Sequence, residues 1–276
     1  MSNKLSLSNI AWTKNEDPSV YALMQKYGFN GLEIAPSRIW DNPYEQTTGS
    51  IEAFKKELKA YSLNVVAFQS LLFNKPELTI FSNNEAREKT LEYLKKSIVL
   101  AKNFGATALV FGSPKNRIIG DMDKQTAQEI ALDFFGELGD FAMKNGTCFC
   151  IEPNPAIYNT DFICTTEEAI QFVRDINSPG LKLNIDLGTI TANKEDLDVT
   201  LRNAIPYAGH FHISEPFLEK INLDQEKHTR VREILTREHY DFSISIEMKA
   251  PEEINRLQII EQTLSFVSNV YGSDVK

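Results

Sequence analysis

The chain has 276 residues, is 42% hydrophobic and 24% charged, and carries a net charge of −9. This balance excludes a disordered chain. Without clustered Lys and Arg it also counts against a sequence-independent grip on nucleic acid. No run of about 18 apolar residues predicts a membrane span, the first residues lack the apolar core of a signal peptide, and Cys148, Cys150 and Cys164 form no disulfide framework, so a reducing compartment, the cytoplasm, is expected.

Strand and helix signals alternate from end to end. Residues 5–10 read as a strand, and Val20, Leu23, Met24 and Tyr27 predict a helix over 19–27 that stops at Gly28. A strand over 31–35, with Glu33 near its end, precedes an amphipathic helix over 51–61 and a β-branched run over 64–69. A long helix over 86–104 ends at Gly105 and is followed by a strand over 108–111. Helix 126–144 stops at Asn145–Gly146, and strand 147–152 follows. ThrThrGluGlu opens a helix over 165–176 with an N-cap and an acidic first turn. Strand 181–186, helix 197–205, strand 209–214, helix 229–238, strand 242–248 and helix 252–271 complete the chain. Eight strand–helix pairs at this length predict an α/β fold, a single (β/α)₈ TIM barrel over residues 1–276. A doubly wound sheet is disfavoured, because no GxGxxG follows the first strand.

Four of these strands carry a metal-capable side chain at or near their ends: Glu152 in CysIleGluProAsnPro, Asp186 in AsnIleAspLeuGly, His212 in HisPheHisIleSer and Glu247 in SerIleGluMetLys. They are 34, 26 and 35 residues apart, about one strand–helix unit each, so they come from four consecutive staves. In such barrels chemistry gathers at the C-terminal strand ends. Side chains alternate along a strand. The residues just before the four, Ile151, Ile185, Phe211 and Ile246, are large and apolar, and those two before, Cys150, Asn184, His210 and Ser245, are small or polar. The four therefore share the inward face. Two Glu, one Asp and one His form an oxygen-rich site suited to one divalent ion such as Mn²⁺, Mg²⁺, Co²⁺ or Fe²⁺, with Zn²⁺ also possible.

On these residues the chain resembles the xylose-isomerase-like sugar isomerase/epimerase superfamily, in the layout of the ketose 3-epimerases and of sugar-phosphate isomerase relatives. The resemblance spans the whole chain and is most specific over 150–250. It implies that Glu152, Asp186, His212 and Glu247 bind one divalent metal, often Mn²⁺. It also implies that Glu152 and Glu247 are the catalytic acid/base pair on opposite faces of a small carbohydrate. The expected reaction is isomerisation or epimerisation by proton abstraction next to a carbonyl through a metal-stabilised enediolate. The implied assembly is a homodimer or homotetramer. An inosose dehydratase-like elimination and a non-catalytic barrel are the alternatives. Endonuclease IV-like DNA repair needs more histidines than the four present and a basic face. The sequence departs from the epimerase pattern at Thr189, where a substrate-binding His is common, at Tyr158, near the place of a second acid, and after His212, where IleSerGluPro lacks an expected Arg.

Further candidates sit at other strand mouths. Glu33 either binds a sugar hydroxyl or forms a structural salt bridge. Lys115 and Arg117, in PheGlySerProLysAsnArg, either hold an anionic group or form a basic surface loop. Gln69 and Asn154 are hydroxyl partners, and Trp12 and Phe68 are either sugar-stacking rings or core. His228 is expected in the loop before the seventh helix, as a substrate neighbour or a surface helix cap. His210 faces inward as a partner of His212 or a buried histidine. His239 is expected on the surface, and Cys148 and Cys150 are read as core fillers.

Overall fold

The computed structural model describes residues 5–250 and 255–272. Eight parallel strands close into a barrel in sequence order: β1 (Leu5–Ser8), β2 (Gly31–Ile34), β3 (Asn64–Phe68), β4 (Ala108–Phe111), β5 (Cys148–Ile151), β6 (Leu181–Asp186), β7 (Ala208–Ser214) and β8 (Ile244–Glu247). β8 closes on β1 through pairs such as Ser6 with Ser245. The helices are α1 (Asp17–Lys26), α2 (Pro36–Ile39), α3 (Thr48–Lys59), α4 (Asn84–Phe104), α5 (Lys124–Lys144), α6 (Thr166–Ile176), α7 (Leu187–Asn193), α8 (Leu197–Ala204), α9 (Gln225–Arg237) and α10 (Arg256–Tyr271).

The alternation seen in the sequence sorts the strand residues into two compartments. Ile151, Ile185, Phe211 and Ile246 join the main apolar core between strands and helices. There Phe111 and Phe149 pack on Phe135 of α5, with ring centroids 5.5 and 6.3 Å away. The other face fills the barrel with small side chains: Ala67, Ala108 and Cys150 form a separate cluster. Space there is tight. A Cβ on Gly209 would lie 2.8 Å from Cys148 Sγ and 2.9 Å from Cys150 Sγ, so β7 needs glycine beside this pair. The two cysteines are free and act as filling.

Helix ends follow local chemistry. Thr165 and Glu168 form the reciprocal capping box expected of ThrThrGluGlu at α6. Gly105, at φ 74°, ends α4 in the left-handed conformation that glycine adopts at little cost. Some elements differ from expectation, the short helix α2 among them. α9 starts at Gln225 rather than 229, because the Asp224 carboxylate accepts from the Glu226 and Lys227 N–H groups. α7 was not anticipated; it starts directly from β6, with Asp186 as its N-cap. The expected start of the last helix, at Glu252 and including Ile254, lies outside the described residues. Among the described residues no helix is long and apolar enough to cross a membrane.

Candidate metal and active site

The ends of β5 to β8 bring Glu152, Asp186, His212 and Glu247 together. One ligand atom from each lies within 4.8 Å of the others. His212 Nδ1 is 3.1 Å from Glu247 Oε2 and 3.3 Å from Glu152 Oε2. The carboxylates are braced individually. Asn184 Nδ2 donates to Glu152 Oε2 (2.7 Å), and Asn154 Nδ2 donates to Glu152 Oε1 (2.9 Å). The Thr189 N–H donates to Asp186 Oδ2 (2.7 Å), and the Ser214 hydroxyl donates to Asp186 Oδ1. Gly112 leaves room for Glu152: a Cβ there would stand 2.7 Å from Glu152 Oε1.

Beneath the quartet lies a second layer. Glu33 is fully buried, and its Oε1 sits 3.1 Å from His212 Nε2 and 3.3 Å from His210 Nε2. Ser245 Oγ donates to Glu33 Oε2 (2.6 Å). Carboxylates can only accept, and both ring nitrogens of His212 face carboxylate oxygens, Nε2 toward Glu33 and Nδ1 toward Glu152 and Glu247, which favours the doubly protonated ring. Glu33 therefore does not face the cleft as a sugar-hydroxyl partner; it holds His212 from behind. Of the two sequence readings, burial selects the ion pair.

Electrostatics separate the acids. Burial pushes Glu247 up to about 7, with Glu152 and Asp186 adding to the rise and His212 opposing it. Burial, then the Glu152 charge, also raises Asp186. Glu152 is buried too, yet the hydrogen bond and charge of His212 hold it below its ordinary value. Burial disfavours charge on His212, but Glu33 and then Glu247 raise its pKa well above normal. Three carboxylates share one imidazole at the cleft floor. That is an excess of negative charge and of hard oxygen donors, and it fits a divalent cation.

The quartet's carboxylates line a cleft of about 300 Å³ that also includes Gln69, Ser70, Asn154, Tyr158, Phe217 and Lys249. Asn154 Oδ1 is buried without a hydrogen-bond partner among the described residues, which leaves an acceptor for a ligand hydroxyl. The other sequence candidates lie elsewhere. Lys115 is exposed and outside the cleft. Arg117 is fully buried under the β4 and β5 loops, 3.4 Å from the Ile163 carbonyl, and burial lowers its pKa to about 10. It is neither a surface residue nor a cleft residue. His228 is no loop residue: it is buried in α9, where Nε2 donates to the Asn222 carbonyl (3.1 Å) and Nδ1 faces the Tyr271 hydroxyl (2.8 Å). Trp12 binds Asp17 through its indole N–H (2.6 Å), and Phe68 packs on Phe104, so both are core. Thr189 braces Asp186 and, through its hydroxyl, the Pro153 carbonyl (2.9 Å).

Ser70, Phe217 and Lys249 are cleft residues that the sequence reading missed. Lys249 had a usable signal, since it lies two residues beyond Glu247 and so keeps its phase. Phe217 had none, because its place is set by loop conformation.

A family model described as xylose isomerase-like TIM barrel matches residues 21–270. D-psicose 3-epimerase from Clostridium cellulolyticum H10 superposes with a TM-score of 0.80 at 16% identity, covering 98% of this chain and 100% of that one. A 3-keto-D-glucoside 4-epimerase from E. coli gives 0.77 at 16% identity, covering 97% and 99%. The IOLI protein, solved with a zinc atom, gives 0.71 at 16% identity, covering 97% and 98%. At such identity the likeness is one of fold. No curated protein matches the sequence.

Proposed function

The chain belongs to the xylose isomerase-like TIM barrel family, and from that premise we propose that it is a divalent-metal-dependent isomerase or epimerase of a sugar, sugar phosphate or related polyol ketone. The observation that carries this reading is the quartet Glu152, Asp186, His212 and Glu247 gathered at a cleft floor, with His212 held by Glu33. These four residues would hold the ion, with Mn²⁺ the first candidate. When bound, the ion supplies Lewis-acid polarisation of a substrate carbonyl.

The protein's part is proton transfer and positioning. Glu152 and Glu247 are carboxylates whose environments drive their pKa values apart, one below its normal range and one up to about 7. Such a pair suits one group to take a carbon-bound proton and the other to return one. Asn154 Oδ1 and the Gln69 amide can hold hydroxyl groups beside the reacting carbon. Return to the same carbon from the other face gives epimerisation, and return to the neighbouring carbon, with transfer of the hydroxyl proton to the former carbonyl oxygen, gives isomerisation. The three free cysteines support a reducing, cytoplasmic setting.

The test uses purified protein. Metal analysis should find about one divalent ion per chain, and Glu152→Gln or Glu247→Gln should abolish turnover. Candidate sugars incubated in D₂O should gain deuterium with an unchanged skeleton. Loss of water would instead identify a dehydratase, and absence of both metal and exchange would sink the enzyme reading.

A further inference from the structure

The cleft has an aromatic wall that the proton-transfer chemistry does not use. Tyr158, from the loop after β5, and Phe217, from the loop after β7, meet edge to face with centroids 5.2 Å apart and planes at 74°. The Phe217 N–H donates to the Tyr158 hydroxyl (2.8 Å). Both rings line the cleft that contains Glu152, Asp186 and Glu247.

Phe217 is held there at a conformational cost. It and Leu218 are consecutive non-glycine residues at φ 62° and φ 57°. Left-handed backbone in bulky residues persists only where surrounding contacts impose it, and it concentrates at ligand sites. The imposing contacts are identifiable: the Leu218 N–H donates to the Glu215 carbonyl (3.0 Å), and the Leu218 carbonyl accepts from the Lys249 N–H (2.9 Å). Three loops, after β5, β7 and β8, thus converge to present one ring. Core packing does not explain this, because Phe217 remains 56% exposed.

An aromatic face carries negative charge density and attracts C–H bonds polarised by neighbouring oxygens. A cyclic polyol presents several such C–H bonds together on one rigid face. An open-chain polyol must freeze several torsions to do so. The cleft volume, about 300 Å³, is at the small end for ligand sites and suits one small polyol. We propose that Tyr158 and Phe217 are specificity-determining residues that select a cyclic polyol-type substrate over an open-chain one, Phe217 by stacking and Tyr158 by bracing it. This rests on the hydroxyketone chemistry proposed above and narrows its substrate class.

The test compares two inert probes of six carbons and six hydroxyls each, myo-inositol and D-sorbitol, by calorimetry on the Mn²⁺-loaded protein. Myo-inositol should bind about three- to tenfold more tightly. Phe217→Ala and Phe217→Leu should both erase that preference. Equal binding, preference for D-sorbitol, no binding of either probe, or a preference that survives in Phe217→Leu overturns the proposal. Mn²⁺ titration of the same variants should give wild-type affinity. A failure of the metal reading would appear in that titration in every variant, apart from any change in probe preference.

Discussion

His212 has two ring nitrogens, and the fold gives each its own carboxylate partners. Nε2 meets buried Glu33, while Nδ1 meets Glu152 and Glu247. Removing the Glu33 charge should loosen the ring's orientation and lower its basicity. Glu33→Gln is therefore expected to weaken Mn²⁺ binding about 10- to 100-fold, read by titration with a chelating indicator, with the far-ultraviolet spectrum unchanged. Unaltered affinity would mean that Glu33 serves only the packing of the barrel. Gly112 acts on Glu152 in the same indirect way. Gly112→Ala places a methyl 2.7 Å from Glu152 Oε1 and must displace that carboxylate. We expect turnover to fall by roughly 100-fold, as misplacing a reacting group does, while the melting midpoint moves little. Gly112→Ala with wild-type turnover would show that the Glu152 carboxylate tolerates another position.

At the scale of elements, α9 and α10 are joined through His228, which carries a testable pH dependence. Burial depresses His228 to about 4 from an ordinary 6.5, the Asn222 carbonyl only partly offsetting this. The unfolded chain thus binds a proton that the fold resists. Stability is fully present above pH 6.5 and is lost as pH falls toward 4. Between pH 7.5 and pH 5 this one group should remove about 2 kcal/mol, measurable by urea unfolding. A His228→Gln variant should lose less over the same interval; an identical slope would assign the pH dependence elsewhere. The capping box of α6 is a simpler element-level device. Thr165→Ala should cost about 1 kcal/mol of stability and leave metal binding intact.

At the scale of the whole molecule, closing the barrel forces three buried carboxylates onto one floor, a cost that the proposed divalent cation would offset. Saturation with Mn²⁺ at about 100 times its dissociation constant should add about 2.7 kcal/mol and raise the melting midpoint by roughly 5–10 °C. A chelator should reverse the gain. The barrel and the quartet were legible in the sequence because both rest on short-range regularities: strand–helix spacing, and two-residue parity that put Ile151, Ile185, Phe211 and Ile246 outward and their neighbours inward. Parity and spacing do not see beyond a strand end. Glu33 was open between a sugar-hydroxyl partner and a structural ion pair until closure of β1 to β8 set it under His212, and Arg117 was open between an anion-holding residue and a basic surface residue until the β4 and β5 loops folded over it. His228 moved from loop to helix because Asp224 caps α9 early. Local periodicity by itself determined which residues face inward and at which end of the barrel they gather. Only the tertiary structure decided what each one touches, because loop conformation and burial depend on contacts between segments far apart in the chain.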